Sequence, residues 1–134
     1  MKTITPYLFF PGNCEKAMNF YKECLNGEIT ALQRFGETEM PVDDDHKQKI
    51  MHGELKADGI TIMFSDGAPH KEITDGNNVQ LSINLDSEEE QDRIFDALAD
   101  GGKITMPLEI TFWGARYGMV TDKFGIRWML NCEK

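Results

Sequence analysis

The same order of amphipathic segments occurs twice along this chain, and that repetition constrains its fold more than any single motif. A β-rich run leads into a capped helical stretch, three further β-rich runs follow, and the series then begins again. In NCEKAMNFYKECLNG the apolar positions Ala17, Phe20, Tyr21, Cys24 and Leu25 recur at helical spacing, with Asn13 as the expected N-cap and Asn26-Gly27 as the stop. In SEEEQDRIFDALADGG, Ser87 and Glu90 make a capping box, Ile94, Phe95 and Leu98 form the apolar stripe, and Gly101-Gly102 ends it. The remaining periodic runs read as strands over 4–10, 28–35, 49–57, 60–65, 79–85, 104–112, 115–121 and 126–132, divided by Asp-Gly, Gly-Gly and Phe-Gly turns. The pattern predicts an α+β fold: two βαβββ modules, about 1–66 and 79–134, forming a cupped mixed sheet in one domain over 1–134.

A chain of 134 residues suffices for a single core. Its 14 Lys and Arg against 23 Asp and Glu give a net charge of −9, which repels nucleic-acid phosphates and anionic membranes, so neither is expected as a partner. The opening MKTITPYLFFPG lacks the long apolar segment of a signal peptide, and no later run approaches the roughly 20 apolar residues that span a bilayer. The expectation is a cytoplasmic protein. Cys14, Cys24 and Cys132 form no CxxC pair and are odd in number, which points to unbridged, buried thiols. The run Asp43, Asp44, Asp45, His46 lacks the glycine and distal glutamate of a calcium loop and reads as a solvated acidic loop.

The doubled module, FPGNCEKAMNFYKECLNGE in its first half and WGARYGMVTDKFGIRWML at its end, resembles the vicinal oxygen chelate superfamily of glyoxalases, bleomycin-resistance proteins and extradiol dioxygenases. Within that superfamily the GN opening of the first helix followed by FY, the HGEL strand leading to an FSD turn, and WGARYGMVTDKFG look most like the PhnB-like branch. That branch often carries the label 3-demethylubiquinone-9 3-methyltransferase-like. An S-adenosylmethionine methyltransferase typically needs a doubly wound sheet with a glycine-rich first turn, and this sequence has neither the alternating strand-helix order nor a GxGxx turn after its first strand.

The resemblance also implies where a metal would be held. Metal-dependent relatives supply ligands from the first strand of each half and from the last strand. Those positions fall here on Pro6, Gln80 and Met129: no donor, one amide oxygen and a soft thioether. No metal and no cofactor are therefore expected. Strand alternation assigns the residues that line the cup. If Met129 faces inward, so do Arg127 and Asn131, while Ile126, Trp128, Leu130 and Cys132 pack beneath a helix. The family register turns Trp113, Tyr117 and Met119 inward and sends Arg116 to the opposite side with Asp122, as a structural ion-pair partner. His52, Glu54 and Lys56 share a face, with Thr61 and Met63 beside them, and Gln80 and Ser82 open the second half. The expected ligand-binding set is His52, Glu54, Met63, Gln80, Ser82, Trp113, Tyr117, Met119, Arg127 and Met129, with His52 and Glu54 as the candidates for catalysis.

The leading functional expectation is a metal-independent small-molecule binding protein of the glyoxalase/bleomycin-resistance class, working as a homodimer and holding an aromatic or amphipathic ligand. The alternatives are a metal-assisted lyase or dioxygenase, an acid-base enzyme using His52 and Glu54, and a dimeric interaction module whose cup is filled by its own side chains.

Overall fold

The computed structural model describes residues 2–133, which divide into two compact units, the first running to Thr74 and the second beginning at Asp75. In the first, β1 (Tyr7–Phe9) enters α1 (Cys14–Leu25), and β2 (Glu28–Arg34), β3 (Ile50–Ala57) and β4 (Ile60–Ser65) follow. The sheet order is β1-β4-β3-β2, with β1 parallel to β4 and the other neighbours antiparallel. The second unit repeats this with β5 (Leu81–Leu85), α2 (Glu88–Ala99), β6 (Lys103–Ile110), β7 (Ala115–Thr121) and β8 (Arg127–Glu133) in the order β5-β8-β7-β6, again with one parallel pair, β5 with β8. The predicted α+β class and the doubled β-α-β-β-β order are thus observed, the strands forming two mixed sheets, one in each unit. No helix among the described residues is long and apolar enough to cross a membrane.

Each helix covers one face of its own sheet. Ala17, Met18, Tyr21, Cys24 and Leu25 on α1 are buried, with Leu55, Ile62 and Phe64 on the strands. Tyr21 stacks on Phe64 at 5.9 Å between ring centroids, and Phe64 in turn stacks on Phe10. Gly53 lies where α1 comes closest, since a Cβ there would sit 2.5 Å from Met18 Cε. Odd positions of β3 from Gly53 onward therefore face the helix, and alternation turns His52, Glu54 and Lys56 to the other side.

In the second unit Ile94, Phe95 and Leu98 of α2 are buried, as are Val120, Trp128, Leu130 and Cys132 of the sheet. Buried Gln91 ties the two layers by donating to the backbone carbonyls of Arg116 and Leu130. Ser87 caps α2 by accepting from the Glu90 amide, which is the Ser87 half of the predicted capping box.

Three local expectations change. Asn13 stands at the N-cap of α1 but its side chain makes no cap bond. Asp66 does that work from the end of β4, its Oδ1 accepting from the amides of Gly12 and Cys14 and its Oδ2 from that of Ile50. Arg116 faces α2 and pairs with Asp92 at 2.8 Å and Glu88 at 3.8 Å, as an ion-pair partner should, whereas Asp122 accepts from the Trp128 indole and from the amides of Phe124 and Ile126. The strands shorten where their ends are exposed. Ile4 is fully solvent-accessible and precedes β1, Val79 precedes β5, and Phe112 and Trp113 lie in the turn beyond β6.

Candidate functional site

The face of the first sheet that α1 leaves uncovered is built from a row running across all four strands. Ala31 pairs with Glu54, Glu54 with Met63, and Met63 with Tyr7. One step along β3, His52 lies opposite Gln33. Tyr7 reaches across to His52, with 2.8 Å between its hydroxyl and Nδ1, and its ring stacks on Phe9 at 5.1 Å. Burial holds the Tyr7 phenol above the usual tyrosine range, with the thiol side chain of Cys14 adding to the effect. Glu54 Oε1 accepts from the Thr30 hydroxyl at 2.7 Å. His52 and Glu54 share this face as alternation requires, but their hydrogen-bond partners are Tyr7 and Thr30 rather than each other.

The uncovered face of the second sheet is less polar. Met106 pairs with Met119, Met119 with Met129, and Met129 with Ser82, so three thioether side chains lie abreast on adjacent strands. Tyr117 and Asn131 are opposite one another in the next row, and the Tyr117 hydroxyl donates to Met129 Sδ at 2.9 Å. Trp113, 56% exposed in the β6–β7 turn, packs edge-on to Tyr117 at 5.9 Å. Arg127 donates to the Gly76 carbonyl. Gln80 immediately precedes β5, in phase with Ser82, and its Oε1 is buried without a hydrogen-bond partner among the described residues. At the far end of this face Asn131 donates to Asn84 at 3.5 Å, beside a cleft of about 350 Å³ that Asp86 and Glu133 also line.

Sequence alternation therefore brings together His52, Glu54 and Met63 on one sheet, and Ser82, Tyr117, Met119, Arg127 and Met129 on the other, with Gln80 and Trp113 at the margins of the second. It misses Tyr7, Phe9 and Met106. Tyr7 and Phe9 are two apart on a strand, the same signal that singled out His52 and Glu54. Met106 is hidden because β6 shifts register on both sides of it, once before Met106 and once across Pro107.

The three positions where relatives of this fold would hold a metal can be compared with what occupies them. Pro6 offers only its carbonyl, which accepts the Met63 amide. Met129 is a thioether already accepting from Tyr117, and Gln80 contributes one neutral oxygen. Among the described residues no three His, Cys, Asp or Glu side chains are grouped so as to hold an ion. These donors do not fit a hard or borderline divalent metal.

Two four-stranded mixed sheets of βαβββ connectivity, each backed by one helix, define the glyoxalase/bleomycin resistance/dioxygenase fold. A domain of that description from Frankia sp. EAN1pec, 14% identical, superposes with a TM-score of 0.68 over 100% of this chain and 93% of its own, a likeness of fold alone. The chain belongs to the 3-demethylubiquinone-9 3-methyltransferase family, whose model matches residues 2–131. It is 43% identical to protein PA1353 from Pseudomonas aeruginosa, with a TM-score of 0.90 and coverage of 99% and 98% of the two chains. It is also 30% identical to a putative 3-demethylubiquinone-9 3-methyltransferase, PhnB protein, from Bacillus cereus, with a TM-score of 0.81 and coverage of 98% and 99%.

Proposed function

We propose that this chain is a metal-independent small-molecule binding protein that holds an aromatic or amphipathic ligand on the helix-free faces of its sheets. The observation that carries the reading is the surface of the second sheet: three methionines abreast, the Tyr117 ring beside them, and at its margin a buried Gln80 oxygen with no donor. Thioethers adapt to the outline of an aromatic guest, and a buried acceptor without a partner is satisfied by a guest that brings a donor. Metal independence rests on the donor set at Pro6, Gln80 and Met129. The methyltransferase in the family's description is not carried over as an activity, because neither sheet has the doubly wound parallel order on which S-adenosylmethionine is typically bound.

Methionine-methyl NMR of the intact protein, titrated with a panel of substituted aromatics, tests this reading. Binding should move the methyl signals of Met106, Met119 and Met129 together, and Met129→Glu should abolish the response. Ligands that bind without moving those signals, or no binding across the panel, would overturn it. An acid-base enzyme using His52 and Glu54 is the second reading, favoured by the hydrogen bond that holds His52 in place. Turnover of a bound ligand that disappears in His52→Gln would select it.

A further inference from the structure

We propose that Tyr7 is a positioning residue for His52: its phenol donates to Nδ1, leaves the imidazole proton on Nε2, and so presents an N–H donor beside the open oxygen of Glu54. The ligand class this selects is a neutral molecule whose edge carries an acceptor and a donor on neighbouring atoms, as a primary carboxamide does. The second statement deepens the binding role proposed above and rests on it; the first rests on the Tyr7–His52 contact and on the hydrogen-bonding chemistry of the two groups, independently of that role.

The direction of the Tyr7–His52 hydrogen bond follows from the two groups. A phenol is a better donor than acceptor, and neutral imidazole offers one unprotonated nitrogen as a strong acceptor. Near pH 8.5 imidazole is neutral and the Tyr7 phenol, whose pKa is raised above the ordinary tyrosine value by partial desolvation, keeps its proton. With Nδ1 accepting at 2.8 Å, the other nitrogen must carry the hydrogen. The ring of Tyr7 is itself held, stacked on Phe9 with 19° between the planes and tilted against the imidazole at 5.7 Å.

Glu54 is oriented in the same manner, one oxygen taking the Thr30 hydroxyl while the other receives no hydrogen bond from a described residue. Two apart on β3, the side chains leave the backbone roughly 7 Å from each other on one face. The face therefore offers one donor, Nε2–H, and one acceptor, the second Glu54 oxygen, with Met63 and the Tyr7–Phe9 stack as apolar flank. A carboxylate ligand would set its charge against Glu54, and an ester would leave Glu54 without a donor. A carboxamide satisfies both groups.

Nitrogen-15 NMR of the imidazoles in the whole protein, at about pH 8.5 where an ordinary imidazole is neutral, reads the tautomer directly. The expected result is His52 protonated on Nε2 in the native protein and a mixture of tautomers in Tyr7→Phe. Protonation on Nδ1, a tautomer ratio unchanged by Tyr7→Phe, or, should that variant fail to fold, a native Nε2–H fraction no higher than that of an unconstrained imidazole overturns the positioning role. The ligand class is tested by titrating benzamide, methyl benzoate and benzoate while following His52 Nε2. Benzamide should shift that signal and bind roughly five- to tenfold more weakly to Tyr7→Phe, the effect expected for one net hydrogen bond. Equal binding of all three probes, or a benzoate preference, overturns the carboxamide assignment. If a probe moves the methionine methyls but not His52, the ligand class falls, the general binding role stands, and the tautomer still decides the positioning role. If the tautomer is as stated and nothing binds, the binding role and the ligand class fall together.

Discussion

Asp66 is 6% exposed and its carboxylate accepts three backbone amides, those of Gly12, Cys14 and Ile50, while its own amide donates to the Ile50 carbonyl. Removing it in Asp66→Ala strands three donors in a place water does not reach, for which a loss of about 2–4 kcal/mol is expected in urea unfolding; Asp66→Asn should lose less, since one acceptor oxygen remains. A change below about 0.5 kcal/mol would contradict this account. The sequence pointed to Asn13 because caps are read from neighbours, and no local pattern announces a capping residue 52 positions away. A second single-residue effect is set by Glu15, whose carboxyl is held below the usual range by its hydrogen bond to Arg34. A depressed folded value means stability that is present above the unfolded value and fades as pH falls through the folded one. Glu15→Gln should therefore flatten the acid side of the stability profile below about pH 4.5 and leave its neutral-to-alkaline slope unchanged. A parallel displacement of the whole curve would rule out the linkage.

At the level of elements, the closest approaches fix what each face can hold. A Cβ at Gly118 would lie 2.9 Å from Leu108 Cδ2, 3.0 Å from the Met106 carbonyl oxygen and 3.0 Å from Phe95 Cε1. At Gly53 it would come closer, 2.5 Å from Met18 Cε and 2.6 Å from Met18 Sδ, but both atoms are the flexible end of one side chain and the nearest backbone atom, the Ala31 carbonyl oxygen, lies at 3.6 Å. Gly118→Ala should destabilise by about 1–3 kcal/mol, because one of its neighbours is backbone, and Gly53→Ala by less, because Met18 can turn aside. The reverse ranking in thermal unfolding would show that the sheet of the second unit yields more easily than its packing suggests. Elements with clean periodicity were legible from the chain: the predicted strand boundaries for β4 and β7 coincide with those observed, the α2 stripe is buried, and the α1 stripe is buried except at Phe20, while Met18, outside the predicted stripe, is buried beside it. Legibility failed where backbone chemistry interrupts the pattern. Pro6 has no amide to donate and leaves β1 only Tyr7–Phe9, and the edge strand β6, which carries Pro107, shifts register between Ile104 and Met106 and again between Met106 and Glu109, so that Met106 and Glu109 take up the rows opposite Met119 and Tyr117.

For the whole molecule, each sheet ends on strands with one side unpaired among the described residues, β1 and β2 in the first unit and β5 and β6 in the second, and β6 carries exposed Ile104 and Ile110. Such edges favour pairing with another chain, and a homodimer is the expected state. Native mass spectrometry of freshly purified protein should give the dimer mass without a stoichiometric divalent metal; a monomer at micromolar concentration, or one zinc, nickel, iron or manganese retained per chain after dialysis, would refute the respective expectation. One further property follows from the way the ladders are drawn. All strand pairing of the first sheet is completed between Tyr7 and Ser65, and all of the second between Leu81 and Glu133. On a ribosome adding about 5–20 residues each second, the first sheet has every strand it needs several seconds before the last strand of the second is synthesised. The nascent chain can thus bury its first core while the second half is still being translated, and its early exposure of strand edges is confined to one four-stranded sheet at a time.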